Sequence, residues 1–187
     1  MKETVRQQIL VGGVGGQGGL FVTSLLAEAA IRRTLPVFTT ETHGMAQRGG
    51  TVVSHLKVGD FSSPMIRPGQ ANALLALKPE SVTHHEAFLR PDGWIVVNEK
   101  APARTTRARS VFFLDADKVA KEVGNPKSAN LVLLGFALAE RSRTRTGAQH
   151  LFCSLKDVTS VLRERLAGQK KMLEACLRAL EAGYCAG

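Results

Sequence analysis

Two short stretches of this chain gather the groups that could do chemistry. The first, GGVGGQGG at residues 12–19, sets Gly13-x-Gly15-x-x-Gly18 directly after an apolar run and at the opening of a helical pattern. Bare backbone of this kind allows a sharp turn and a close approach. The N–H groups at a helix N-terminus carry partial positive charge, which suits a phosphate. The pattern alone is weak, and its place between strand and helix gives it weight. The same residues also fit a tight strand-to-helix turn that holds nothing. The second stretch, ETHGMAQRGG at residues 41–50, packs Glu41, His43, Gln47 and Arg48 between two apolar runs and closes on Gly49 and Gly50. Arg48 beside two glycine N–H groups suits an anion. Alternatively, Arg48 pairs with Glu41 and braces the loop. The candidate contact residues are therefore Gly13, Gly15, Gly16, Gln17 and Gly18 in the first stretch, with Glu41, His43, Gly44, Arg48 and Gly49 in the second.

The elements that must position these groups are legible from periodicity. QQILVGG (7–13) reads as a buried strand, and a helix follows from about Gln17 to Arg33, with Val22, Leu25, Leu26, Ala29 and Ala30 as its apolar stripe. PVFTT (36–40) is a second strand, and TVVSHLKVG (51–59) alternates as a third with one wetter face. ANALLAL (71–77), GWIVVN (93–98) and SVFFLDA (110–116) are further strands, with a helical stretch PESVTHHEAFL between the first two. The remainder is helical. Asn125 stands as N-cap before Pro126, Ser154 with Asp157 forms a weaker relative of the capping box, and Gly183 closes a last helix begun near Lys170. Strand alternating with helix implies an α/β fold: an open, mostly parallel, Rossmann-like sheet with helices on both faces and a helical C-terminal extension from about residue 125. One domain over residues 1–187 is expected.

In that setting Glu41 lies 23 residues beyond Gly18, where a dinucleotide-binding domain holds its ribose-binding acid. A dinucleotide domain continues into a crossover helix, whereas here the chain leads into another strand, which speaks against NAD.

Composition narrows the class. An apolar fraction of 44% and a charged fraction of 22% are those of a globular protein. No stretch is long and uncharged enough for a membrane span, and the start lacks a secretory h-region. Three cysteines (Cys153, Cys176, Cys185) form no CxxC pair, which argues for a cytoplasmic, reducing setting and against a zinc ribbon or a cluster held by this chain alone. Charge is uneven: residues 1–99 hold 9 Lys/Arg against 8 Asp/Glu, whereas residues 100–187 hold 16 against 8. With aromatics at 5% and no nucleic-acid signature, the basic half reads as a solvated face or a dock for an acidic partner. Neither nucleic acid nor membrane is expected.

The motifs together resemble the gamma-type subunit of 2-oxoacid:ferredoxin oxidoreductases, most nearly its indolepyruvate branch. The likeness rests on GVGGQGG, TETHGMAQRGGTVVSHLKVG, SPMIRPGQANALLAL, GNPKSANLVLLG and LRALEAGY, nearly the whole length. It implies an accessory subunit in the CoA-dependent oxidative decarboxylation of a 2-oxoacid. Coenzyme A is then a co-substrate, and the thiamine diphosphate and [4Fe-4S] clusters belong to a large partner chain that passes electrons to ferredoxin. By the same likeness the isolated chain is inactive. A pyruvate, 2-oxoglutarate or branched-chain 2-oxoacid enzyme, or a stand-alone nucleotide-binding protein, stays open as an alternative. Asn72 and Lys78 stand where the family usually has acids, and Cys176 and Leu180 where Asn and Phe are common.

Other candidates carry less. His84 and His85 read as surface or interface residues, because no acid or cysteine completes a metal site. His43 and His55 on different elements are a poor metal signal. Cys153 reads as structural. The RSRTRT run (141–146) follows a helix end and is open to the 3'-phosphate of coenzyme A.

Overall fold

The apolar run that opens the sequence forms β1 (Gln7–Val14), buried on both faces from Ile9 to Gly13. It is followed by α1 (Gly19–Arg32), whose stripe Val22, Leu25, Leu26, Ala29 and Ala30 lies on the sheet. Then come β2 (Val37–His43), β3 (Thr51–Val58) and β4 (Ala71–Ala76). A short α2 (Glu80–His85) with one 3-10 turn leads to β5 (Leu89–Asn98) and β6 (Ser110–Leu114). Four helices complete the chain: α3 (Ala116–Glu122), α4 (Ala129–Ala139), α5 (Leu155–Arg165) and α6 (Lys170–Ala186). The computed structural model describes residues 5–44, 50–100, 110–139 and 150–187. Among these, no helix is long and apolar enough to cross a membrane.

The sheet runs β2-β3-β1-β4-β5-β6. Strands β1, β4, β5 and β6 pair in parallel, while β3 is antiparallel to both β1 and β2. Five strands therefore point one way and only β3 is reversed. The carboxyl ends of β1 and β2 and the start of β3 share one edge. Because the chain leaves β1 toward β2 and later returns to β4 on the other side, β1 and β4 flank the switch point where open α/β sheets bind ligands.

Helices cover both faces, unequally. On one face, α1, α3, α4, α5 and α6 bury Ile9, Val11, Leu56, Leu75, Trp94 and Val96. On the other, Leu10, Val53, Leu74, Ile95 and Val97 pack against Ile66, Val82 and Phe88. There the six-residue α2 and the segment 59–70 do the covering. Helix α4 is buried from Asn130 through Ala139, which explains its apolar character all round.

Local chemistry corrects several expectations. Strand β6 stops at Leu114, and Asp115 instead caps α3 by accepting the Lys118 N–H at 2.9 Å. Asn125 makes no side-chain cap; a 3-10 turn at Pro126–Ser128 precedes α4. Ser154 and Asp157 form a full capping box, with the Asp157 carboxylate accepting the Ser154 N–H at 2.8 Å. Gly183 does not end α6. It lies inside that helix, where a Cβ would stand 1.9 Å from the Val132 carbonyl of α4. Across the same contact, a Cβ at Gly135 would stand 2.0 Å from the Leu180 carbonyl. The two glycines bring the helix backbones together.

Candidate functional site

The glycine-rich stretch links β1 to α1 at the carboxyl edge of the sheet, and its glycines serve different ends. Gly16 and Gly18 have φ of +89° and +78°, a left-handed backbone that side chains with a Cβ rarely adopt. Gly13 is a packing glycine: a Cβ there would meet the Gln17 side chain at 3.0 Å and Leu77 at 3.2 Å. In front of Gly15 the space is open. Gln17 folds back, its Oε1 accepting the Val14 N–H at 2.8 Å, and so braces the turn from within. Asn130, buried at the start of α4, braces it from outside by donating its Nδ2–H to the Gly18 carbonyl at 3.2 Å.

This bracing leaves a ring of donors unused. Among the described residues, the N–H groups of Gly16, Gly18, Gly19, Leu20 and Phe21 reach no acceptor. They surround the start of α1, where the helix dipole adds partial positive charge. A concave set of N–H groups at such a place is an anion cradle.

The cradle opens into a cleft of about 520 Å³ between α1 and the β1–β3–β2 side of the sheet. Its walls are largely apolar: Val11, Leu20, Phe21 and Val52. Glu41 closes one side and accepts the buried Ser54 hydroxyl at 3.3 Å. Arg165 of α5 closes another; its guanidinium lies 5.1 Å from the Phe21 ring and donates to Ser24 at 2.7 Å and Glu28 at 3.1 Å. A narrower polar cleft of about 360 Å³ flanks the other side of the turn, lined by Gln17, Asn98, Asp117 and Lys127.

The second sequence stretch is the connection of a β-hairpin. Strand β2 runs three residues further than periodicity suggested, so Glu41 and His43 belong to the strand, opposite Ser54 and Val52 of β3. Gly44 continues the pairing with its N–H on the Thr51 carbonyl at 2.8 Å. Strand β3 therefore separates β2 from β1, and Glu41 does not occupy the position beside β1 that a ribose-binding acid needs. Gly13, Gly15, Gly16, Gly18 and Glu41 line the large cleft together. Gln17 lines the smaller one. Of His43 only the backbone is described. Gln47, Arg48 and Gly49 lie outside the described residues, as does the RSRTRT run.

Sequence reasoning missed Asn130 and Arg165. Asn130 lies within GNPKSANLVLLG and Arg165 in no quoted stretch, and nothing local ties either to the glycines; they reach the turn and the cleft from 112 and 141 residues away respectively, as counted to Gly18 and Ser24.

The two buried histidines sit on the opposite face. His55 is buried, with Nδ1 accepting the Ile66 N–H at 3.2 Å, and burial followed by the charge of Lys57 lowers its pKa. His85 is buried beside Phe88, not on the surface, and burial pushes its pKa down to about 4, with smaller contributions from His84 and His55. Cys153 is buried in the core on the α1 face. Asn72 accepts the Gln8 N–H at 2.8 Å, which a carboxylate would do equally well. Among the described residues, no group of three His, Cys, Asp or Glu is placed to hold a metal.

Residues 8–186 match the family described as pyruvate ferredoxin/flavodoxin oxidoreductase. The chain is 31% identical over 200 residues to the indolepyruvate oxidoreductase subunit IorB of Archaeoglobus fulgidus, covering 96% of this chain and 94% of that one. Among solved structures it is similar to the gamma subunit of the keto/oxoacid ferredoxin oxidoreductase of Geobacter sulfurreducens PCA. That likeness has a TM-score of 0.72 at 24% identity and covers 96% of each chain. It is also similar to the 2-oxoglutarate:ferredoxin oxidoreductase of Magnetococcus marinus, solved with 2-oxoglutarate, coenzyme A and succinyl-CoA bound. Here the TM-score is 0.75 at 22% identity, over 98% of this chain and 31% of that one. At these identities the structural likeness establishes the fold alone.

Proposed function

The chain belongs to the pyruvate ferredoxin/flavodoxin oxidoreductase family, as a gamma-type subunit of a 2-oxoacid ferredoxin oxidoreductase, and on that premise we propose that its glycine-rich turn receives coenzyme A. The observation that carries this reading is the ring of unused N–H groups from Gly16 to Phe21 opening into the large apolar cleft. The donors would hold the diphosphate, and Leu20, Phe21 and Val52 would line the path of the apolar arm. Glu41, held by Ser54, and Arg165 would fix the two sides of the opening. Arg48 and Gly49 are proposed to approach the same anion from the β2–β3 hairpin, with His43 and Gly44 setting the hairpin's course.

Thiamine diphosphate and [4Fe-4S] clusters on a large partner chain would supply decarboxylation and electron transfer to ferredoxin. This chain would place the thiol acceptor beside that chemistry. The relative named for indolepyruvate, 31% identical over nearly the whole length, supports an aryl 2-oxoacid as the substrate. A stand-alone dinucleotide-binding role is disfavoured by β3 lying between β1 and β2.

The test is a coenzyme A titration of the assembled complex containing wild-type chain or Gly15→Val. Gly15 has open space before it and an ordinary φ, so the added methyls intrude on the cleft and leave the turn standing. The KM for coenzyme A should rise at least tenfold while the KM for the 2-oxoacid stays put. A normally folded variant with an unchanged KM for coenzyme A would end this assignment.

A further inference from the structure

At the opposite end of the strands from the cradle, three cations gather without a counter-charge among the described residues. Lys57 lies near the end of β3, beside Gln8 of β1 and Phe38 of β2. Its side chain is largely covered (the residue is 6% exposed), and its ammonium stands 5.1 Å from the centre of the Phe61 ring. The Arg6 guanidinium stacks on the same ring at 4.6 Å. Arg67 is the third charge, and burial, then Arg67 and Arg6, hold the Lys57 ammonium below the usual lysine range. Among the described residues, no carboxylate lies within 4 Å of any of the three, Asp60 included.

Like charges packed this closely oppose one another unless a negative group completes the set. The surroundings indicate what that group belongs to. Phe38 and Met65 are exposed at 39% and 50%, two of the five large apolar side chains left so open among the described residues. Phe61 has both cations against its ring, which leaves it a poor platform for a nucleic-acid base. Arginine, aromatic rings and methionine together are the composition enriched at protein–protein contacts. We propose that the Arg6–Lys57–Arg67 patch, with Phe38 and Met65 beside it, docks an acidic segment of another protein chain in the assembled oxidoreductase. This rests on the reading of the chain as a subunit, and the patch is separate from the cradle.

The experiment co-expresses the chain with the large thiamine-binding chain and measures their dissociation constant over a range of salt. Three variants are compared with wild type: Arg6→Glu/Arg67→Glu, the milder Arg6→Gln/Arg67→Gln, and Lys156→Glu/Lys171→Glu on α5 and α6 as an equal change of charge elsewhere. All four substituted positions are exposed, so thermal melting should stay as in wild type. The glutamate pair should weaken association at least tenfold and flatten its salt dependence, and the glutamine pair should do so less strongly. The control should move it less than twofold. Equal effects of patch and control, or assembly unaffected by the patch variants, overturn the proposal alone. Millimolar inorganic phosphate that stabilises the isolated wild-type chain through Arg6 and Arg67 also overturns it, in favour of a small-anion site. A wild-type chain that fails to join the large chain overturns the subunit reading and this proposal with it.

Discussion

Asn130 holds Gly18. From the first turn of α4 its Nδ2–H reaches the Gly18 carbonyl at 3.2 Å, while its Oδ1 accepts the Leu131 N–H at 2.9 Å. A Cβ on Gly18 would stand 2.3 Å from that Nδ2. The glycine turn thus takes its shape partly from a helix more than a hundred residues away. Asn130→Ala removes both bonds from a buried site and should destabilise the chain by about 1–3 kcal/mol. In the assembled enzyme it should also weaken coenzyme A use, which urea unfolding and a coenzyme A titration would read separately.

The glycines of the turn should part company on substitution. Gly16→Val must place a branched side chain at φ +89° and should destabilise the chain by roughly 1–3 kcal/mol. Gly15→Val should change chain stability far less and act on ligand use. Thermal melting of the two variants side by side checks the contrast; equal losses would mean that Gly15 is also structurally constrained.

Acid should loosen the fold through His85. Its folded pKa of about 4 lies below the ordinary 6.5. Between those values the unfolded chain binds more protons, so stability falls as pH drops from about 6.5 to about 4. The full difference amounts to roughly 3 kcal/mol. His55 shifts in the same direction. His85→Leu should flatten part of the pH dependence of the urea midpoint, and an identical slope in the variant would assign it to other groups.

The α4–α6 contact should tolerate no side chain. Gly135→Ala and Gly183→Ala each drive a Cβ onto a carbonyl of the facing helix, at 2.0 and 1.9 Å, and a backbone cannot swing aside as a side chain can. Each should cost about 3 kcal/mol. A melting temperature within a degree of wild type would contradict the close approach.

The purified chain should turn over no 2-oxoacid with ferredoxin or a viologen dye. Its described residues gather no metal-binding cluster, and the function proposed above puts the redox groups on a partner. Dye reduction by the single chain would contradict the division of labour proposed above.

Much of this was legible in the residues. Strand β1, helix α1 and strands β3 and β4 start or stop within about two residues of where periodicity placed them, because each couples an apolar pattern to a strong local signal. Strand β2 outruns its local pattern: its pairing with β3 extends it to His43, and pairing is not a local property. Asp115 ends an apolar run that predicts strand, yet it caps α3, and Gly183 predicts a helix stop, yet it is a contact within α6. A glycine in sequence does not say whether it frees the backbone or lets another backbone in. Of the candidate site, the sequence points to the glycines and Glu41 that line one cleft, whereas Asn130 and Arg165 owe their place to tertiary packing.

The glycine contact between α4 and α6 also has a consequence during synthesis. Helix α4 is buried almost throughout, yet the residues of α6 that meet it, Leu180 and Gly183, emerge about 40 residues later. At roughly 5–20 residues per second, that leaves an apolar helix without its cover for several seconds. Over that interval the nascent chain carries its stickiest surface exposed, so slow translation or a substitution that delays α6 docking should favour aggregation before it alters the stability of the finished fold.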